Sequence, residues 1–292
     1  MFVNLQAINK QKVIMGTFAT INIENNLSVV NNGFELLKDI ENNLSSYIKT
    51  SQVSILNNDK KIEPSKYLKE ILTLSNEYYK DTNGYFDISI GTITKDLYKF
   101  GTNSQRLPSQ EEIRASNLSK VLVHDKYIHI NSKSKIDLGG IAKGYAIDKL
   151  YNYLIQNSTT KGILKLSGDI RCIDMCEVYI QSPIEENATL MKFKTNQNNI
   201  SISTSGTYNR YIKNKKNHHL INPKTKYPAK SFISVTLISH GNNTKIDAYA
   251  TAVSVMPIKI ALDFLSDKKM DYILMDVNKK VYKRTNLFIN LF

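Results

Sequence analysis

Apolar residues recur along the chain with two different periods. Within residues 32–45, Phe34, Leu37, Ile40 and Leu44 return every three or four positions, which places them on one face of a predicted helix. Residues 64–80 read the same way: Leu68, Ile71, Leu72 and Ser75 share a side, Pro64 suits a first turn, and Asn83-Gly84 supplies the stop. Residues 140–154 carry Ala142, Ala146, Leu150 and Leu154 in register, and residues 247–266 read as helix interrupted at Pro257. Strand patterning covers residues 13–23, 163–170, 177–182, 200–203, 233–239, 272–275 and 280–283, and residues 121–131 with a turn at 124–126. Strands and helices interleave without a strict βαβ rhythm. No repeat or linker divides the chain, so the pattern predicts one α+β domain over residues 1–292.

Composition narrows the picture. The chain has 292 residues, 41% apolar and 22% charged, enough to bury a core without staples. Thirty-nine Lys and Arg against 26 Asp and Glu leave a net charge of +13, which favours anionic ligands such as phosphates. The basic residues form no stripe and no RNA or DNA module signature appears, so no nucleic-acid partner is expected. Two cysteines, Cys172 and Cys176, build neither a disulfide framework nor a zinc site, and they read as small core residues in a reducing compartment. The opening residues lack a charged region followed by an apolar one, and no run reaches membrane-spanning length. The expected location is cytoplasmic, or periplasmic or inner-membrane-associated if a precursor segment precedes this sequence.

Four segments carry candidate chemistry. In Lys135-Ile-Asp-Leu-Gly-Gly-Ile-Ala-Lys-Gly-Tyr-Ala-Ile-Asp148, two glycines open a helix and Lys143 follows within its first turn. Unpaired N–H groups and a point charge there suit a phosphate, although an ordinary turn into a helix reads equally well. The spacing matches neither a Walker A loop nor a Rossmann fingerprint. Asp247 and Thr251 stand four residues apart on one helical face, a carboxylate beside a hydroxyl, which suits Mg²⁺; the alternative is Asp247 as an N-cap. His218 and His219 precede the apolar pair Leu220-Ile221, and one of them is a candidate general base, unless the segment is only a polar hairpin turning at Asn222-Pro223 and Tyr227-Pro228. Tyr85, Phe86 and Asp87, bracketed by glycines, suit a flat heteroaromatic ligand or simply a strand entering the core.

The order of these segments is more specific than any one of them. Met15-Gly-Thr17, Leu44-Ser-Ser-Tyr47 with Ser51 to Asn57, Gly84-Tyr-Phe-Asp87, Asp137 to Asp148, Ser167-Gly-Asp-Ile170, Thr204-Ser-Gly206, His219 to Pro228 and Asp247 to Thr251 resemble, in that order, the ApbE-like FAD:protein FMN transferases. The resemblance runs from about residue 14 to about residue 255, with Asp-Leu-Gly-Gly-Ile-Ala-Lys-Gly its most specific part. It implies a two-lobed, T-fold-related α+β domain of sheets with flanking helices, holding FAD between its lobes. It implies Mg²⁺-dependent transfer of FMN from FAD to a Thr or Ser hydroxyl of an acceptor redox protein, with a phosphoester formed and AMP released. Any membrane association would come through the acceptor. By matched motif, Met15, Tyr47, Tyr85, Phe86, Asp87, Asp137, Lys143 and Leu220 would contact the flavin and its phosphates. Gly140, through its carbonyl, would hold the metal with Asp247 and Thr251, and His219 would be catalytic. The chain departs from the family where Ser167 and Lys226 replace glycines and Ile88 replaces a proline. Hydrolysis of FAD to FMN and AMP, or simple FAD binding, are the alternative activities.

Overall fold

The computed structural model describes residues 6–119, 121–208 and 210–292. In chain order the elements are β1 (Gln6–Ile14), β2 (Thr17–Asn25), α1 (Leu27–Leu44), α2 (Gln52–Asp59), β3 (Lys61–Ile62), α3 (Lys66–Asp81), α4 (Gln110–Ala115), β4 (Leu122–Val123), β5 (Ile128–His129), α5 (Ala142–Gln156), β6 (Gly162–Leu166), β7 (Asp169–Cys172), β8 (Glu177–Gln181), β9 (Thr189–Thr195), β10 (Ile200–Gly206), β11 (Phe232–His240), α6 (Asn243–Val255), α7 (Ile258–Ser266), β12 (Asp271–Asp276), β13 (Val281–Arg284) and β14 (Ile289–Leu291). Short 3₁₀ turns lie at Ile88–Ile90 and Lys215–Asn217, and a π-helical turn spans Thr92–Leu97.

Eight strands form one sheet in the order β1-β2-β6-β7-β10-β11-β12-β13. Every ladder in it is antiparallel. Helices α1, α5 and α6 lie against one face, and the three-stranded sheet β14-β9-β8 covers part of the other. This is the α+β architecture expected.

Side-chain alternation explains the layering. On β10, Ile200 and Ile202 pack with Phe193 and Ile289 under the small sheet. The intervening Ser201 and Ser203 bond to Arg171 and Asp169, which are themselves alternate residues of β7. The helix-facing side of β7 and β10 therefore carries buried polar groups where an ordinary core would be aliphatic.

Several boundaries differ from expectation for identifiable reasons. Residues 13–23 are parts of two strands, because Met15 (φ 53°) and Gly16 (φ 69°) form a left-handed turn that folds β1 back on β2. Residues 163–170 are likewise split, at Ser167 (φ 59°), into β6 and β7. Helix α1 starts at Leu27, five residues before the expected residue 32, after the N-cap Asn26, and α3 is capped by Ser65, leaving Pro64 outside. Residues 83–91 form no strand. Asp247 is no N-cap: Asn242 caps α6, and Asp247 lies inside it. Cys172 is buried in the core as expected. The turn after β7 brings the Cα atoms of Cys172 and Cys176 to 5.8 Å, however, and the two are joined as a disulfide, which corrects the reading of free thiols.

Candidate functional site

The site is built where the start of α5 meets the middle of α6 and the end of β7. Helix α5 begins without a side-chain cap, after the turn containing Gly139 and Gly140. Lys143, one residue into it, reaches Asp169 Oδ2 on β7 at 3.2 Å and Asp247 Oδ2 on α6 at 3.6 Å. Both carboxylates are buried, with 2% exposure each. The Gly144 N–H donates to Asp247 Oδ2 at 3.0 Å, and the Ser203 hydroxyl donates to Asp169 Oδ1 at 2.7 Å. Two buried carboxylates thus share one ammonium. Burial pulls the Lys143 pKa down, but Asp169 and then Asp247 hold it above the usual lysine value. Burial, and then the neighbouring Asp169, push the Asp247 carboxyl up. With both carboxylates ionised, they exceed the Lys143 ammonium by one negative charge, an arrangement that favours an additional cation.

Gly140 lies beside this cluster. The Thr251 hydroxyl donates to its carbonyl at 3.4 Å. A Cβ on Gly140 would stand 2.7 Å from Thr251 Oγ1, so the approach requires glycine. The Gly140 carbonyl and the Thr251 hydroxyl converge, and Asp247 stands one helical turn before Thr251 on α6. All three donors are hard oxygens. Among the described residues no group of three or more His, Cys, Asp or Glu is placed to hold a metal. A donor set with one carboxylate, one hydroxyl and one carbonyl, and no nitrogen or sulfur, fits a small hard cation that keeps several waters, which is the chemistry of Mg²⁺.

A second cluster adjoins the first through Gly139, whose N–H donates to Asp137 Oδ1 at 3.0 Å. Asp137 Oδ2 accepts from the Thr94 hydroxyl at 2.7 Å and lies 3.5 Å from Lys95 Nζ. Burial opposes ionisation of Asp137, but Lys95, Thr94 and the Gly139 N–H hold its pKa below the usual range. Lys95 also donates to the Tyr47 hydroxyl at 3.0 Å and sits 4.2 Å from the centre of the Tyr47 ring, which is half exposed. Lys95 stands on the π-helical turn, an irregularity often found at functional sites.

The two adjacent histidines have different fates. His218 is buried: its Nε2 donates to the Ala229 carbonyl at 2.9 Å, and its Nδ1 accepts from the Leu220 N–H at 3.3 Å. Both of its nitrogens are thereby satisfied, and it is structural. His219 is partly buried, and its Nδ1 lies 3.2 Å from the Arg210 carbonyl. A carbonyl only accepts, so Nδ1 carries the proton and Nε2 keeps its lone pair. Burial, and then the Arg210 charge, push the His219 pKa down to about 4. Arg210 also acts electrostatically on Lys95, Asp137 and Lys143, so its charge is felt in both clusters.

The remaining expected residues are placed as follows. Tyr85 packs against the small apolar cluster of Leu220, Ala229 and Val255. Asp87 caps the following 3₁₀ turn through the Ser89 N–H, and its pKa is raised by burial. Phe86 is buried in the main core. Met15 sits in the β1–β2 turn, where its N–H donates to Glu41 Oε1 at 2.8 Å. The structure thus gathers Tyr47, Asp137, Gly140, Lys143, Asp247 and Thr251 into connected clusters and pairs Tyr85 with Leu220. Met15 and Phe86 are anchored elsewhere, in the hairpin and the core. Sequence reasoning gave no role to Lys95, Asp169 or Arg210. Asp169 lies inside a motif segment already singled out, while no segment singled out contains Lys95 or Arg210.

An antiparallel sheet of this order with helices on one face has close counterparts among solved structures. The ApbE protein of Thermotoga maritima superposes with a TM-score of 0.86 at 24% identity, covering 95% of this chain and 97% of that one. The ApbE family model matches residues 15–274, and the chain belongs to the ApbE family. Two curated relatives, both named FAD:protein FMN transferase, come from Buchnera aphidicola. The one from the subspecies Baizongia pistaciae is 28% identical over 91% of this chain and 85% of its own length. The one from Schizaphis graminum is 30% identical over 85% and 79%.

Proposed function

We propose that this protein is a magnesium-dependent FAD:protein FMN transferase, which moves FMN from FAD to a Thr or Ser hydroxyl of an acceptor redox protein. The observation that carries the reading is the convergence of Asp247, Thr251 and the Gly140 carbonyl beside Lys143, in a family whose curated relatives bear that name. In the proposed reaction the acceptor hydroxyl oxygen bonds to the FMN phosphorus. The bond from that phosphorus to the bridging oxygen breaks, and AMP leaves with the bridging oxygen. A phosphoester remains on the acceptor.

Mg²⁺ held by Asp247, Thr251 and Gly140 would supply charge neutralisation on the pyrophosphate. Lys143 presents a fixed ammonium at the start of α5, oriented by Asp169 and available to a phosphate oxygen. His219 is neutral at pH 7, and its free Nε2 is suited to take the proton of the acceptor hydroxyl. Asp137 orients Lys95, which stands against Tyr47. Tyr85 and Leu220 offer an apolar surface to the flavin ring. No helix among the described residues is long and apolar enough to cross a membrane. Membrane association would come through the acceptor.

The test is to incubate the protein with FAD, Mg²⁺ and an acceptor fragment carrying a candidate Thr, and to read the acceptor's intact mass. A gain of one FMN that EDTA abolishes is the expected result. AMP release without that gain, for every acceptor tried, would replace this reading with FAD hydrolysis.

A further inference from the structure

Asp247 is held from one side by the N–H of Gly144, in the first turn of α5. Four residues further along α5, Asp148 does the reverse. Its Oδ1 accepts from the Asn243 N–H at 2.9 Å, and its Oδ2 accepts from the Thr244 N–H at 2.8 Å and the Thr244 hydroxyl at 2.6 Å. Asn243 and Thr244 are the first two residues of α6. The two helices therefore clasp each other at both ends of one turn: α5 donates to Asp247, and α6 donates to Asp148. An N-terminal N–H pair and an N-terminal carboxylate partner are mutually favourable, because the helix start carries unpaired donors.

The clasp is tied to the sheet. Arg171 on β7 is buried, and one terminal nitrogen, with its two N–H groups, lies within hydrogen-bond distance of Asp148 Oδ1 at 3.0 Å, Ser201 Oγ at 2.6 Å and Asn243 Oδ1 at 3.0 Å. Its Nε donates to Asn199 Oδ1 at 2.9 Å. The Asn243 side-chain amide donates in turn to the Ile170 carbonyl at 2.9 Å. Between the helices the approach is so close that a Cβ on Gly144 would collide with the Asn243 carbonyl and stand 2.8 Å from the Asp247 Cβ. A largely buried ion pair with this many partners adds little net stability over an apolar replacement, but it defines a single register. A slip of α6 by one residue would turn Asp247 and Thr251 away from Gly140, since each residue step rotates a helix by about 100°.

We propose that Asp148, anchored by Arg171, is a positioning residue: it sets the register of α6 on α5 and thereby aligns Asp247 and Thr251 with the Gly140 carbonyl for metal binding. This rests on the metal reading above. Outer-shell groups of this kind typically change metal affinity by about 10- to 100-fold when removed.

The test uses the full chain and Mn²⁺ as the probe, titrated by electron paramagnetic resonance well below each variant's unfolding midpoint. Asp148→Asn is expected to weaken Mn²⁺ binding at least about tenfold. Thr244→Val, which keeps the backbone donors, the volume of the side chain and the Arg171–Asp148 pair, is expected to weaken it severalfold, with faster hydrogen exchange at Asn243 and Thr244. Mn²⁺ affinity unchanged in Thr244→Val, or in a folded Asp148→Asn, assigns these residues to stability alone and overturns the proposal. Failure of the unsubstituted chain to bind Mn²⁺ sinks the metal reading itself, and the positioning role with it.

Discussion

Lys143 Nζ stands 3.6 Å from Asp247 Oδ2, yet the closer partner of that ammonium is Asp169, at 3.2 Å. Asp247 is thus the less closely held of the two carboxylates, the one that the proposed reading assigns to the cation. Replacing it leaves Lys143 and Asp169 as a balanced buried pair, so Asp247→Ala is expected to fold. Its transfer activity is expected to fall about 10²-fold or more, to the level seen with EDTA. Acceptor intact mass against time gives the measurement, with an unfolding midpoint alongside it. A folded Asp247→Ala protein with undiminished transfer removes Asp247 from the metal set.

Gly140 gives an independent check from the other side of the same cluster. Its ideal Cβ would meet Thr251 at Oγ1 (2.7 Å) and Cγ2 (2.9 Å). Gly140→Ala is therefore expected to displace the Thr251 side chain, costing about 1–3 kcal/mol of stability. The Mg²⁺ concentration needed for half-maximal transfer should rise. Thr251→Ser removes the Cγ2 contact and keeps the hydroxyl, so the double variant should recover part of the loss. An Mg²⁺ requirement in Gly140→Ala equal to that of the unsubstituted chain would mean that the Gly140 carbonyl is no ligand.

These relationships were legible in the sequence to unequal degrees, and the reasons are physical. Apolar periodicity located α1, α3 and α5, because each carries an apolar stripe that faces the core. The Gly-Gly-Ile-Ala-Lys run gave Gly140 and Lys143 directly, since close approach and a helix start both leave local marks. The turns at Met15 and Ser167 were hidden because non-glycine residues occupy left-handed positions there, so strand-like alternation ran through both. The strands β9 and β14 gain their identity from pairing in the small sheet, where β9 lies between β14 and β8, rather than from their own patterns. Lys95 joins the site only because the π-helical turn brings it over Asp137, a contact spanning 42 residues of sequence that no local signal encodes.

His219 makes a prediction about pH. In the folded protein its pKa is pushed down to about 4, whereas an unfolded imidazole titrates near 6.5. Between those values the unfolded chain binds more protons. Its stability contribution is therefore complete above about pH 6.5 and is lost as pH falls towards about 4. A proton NMR titration of the substrate-free protein should show the His219 ring shifts flat from pH 8 to about 5.5. A midpoint near the ordinary histidine value would contradict the burial argument. His219→Gln should lower the transfer rate by about 10²- to 10⁴-fold, while FAD binding changes little.

The two glycine departures should behave oppositely, although both sit at left-handed backbone positions. Ser167 has φ 59° and Lys226 has φ 66°, a region that L side chains enter at a cost and glycine enters freely. Ser167 terminates β6 and offers the β6–β7 turn only its backbone, with its N–H donating to the Phe18 carbonyl at 3.4 Å. Ser167→Gly relieves that strain and keeps the backbone bond. It is expected to be neutral to stabilising by up to about 1 kcal/mol, the gain being limited by the greater freedom of glycine in the unfolded chain. Lys226 is different, because its ammonium reaches across to the Ser116 carbonyl at 2.5 Å. That bond ties the loop carrying His219 to the segment after α4. In Lys226→Gly the backbone strain is relieved, but this tether is lost and the Ser116 carbonyl loses a charged donor, at about 1.5–3 kcal/mol. Lys226→Gly should therefore lower the unfolding midpoint and speed hydrogen exchange around Asn222, while Ser167→Gly does neither. Equal stabilisation by both glycines would show that the Lys226 tether contributes nothing and that backbone strain alone decides these positions.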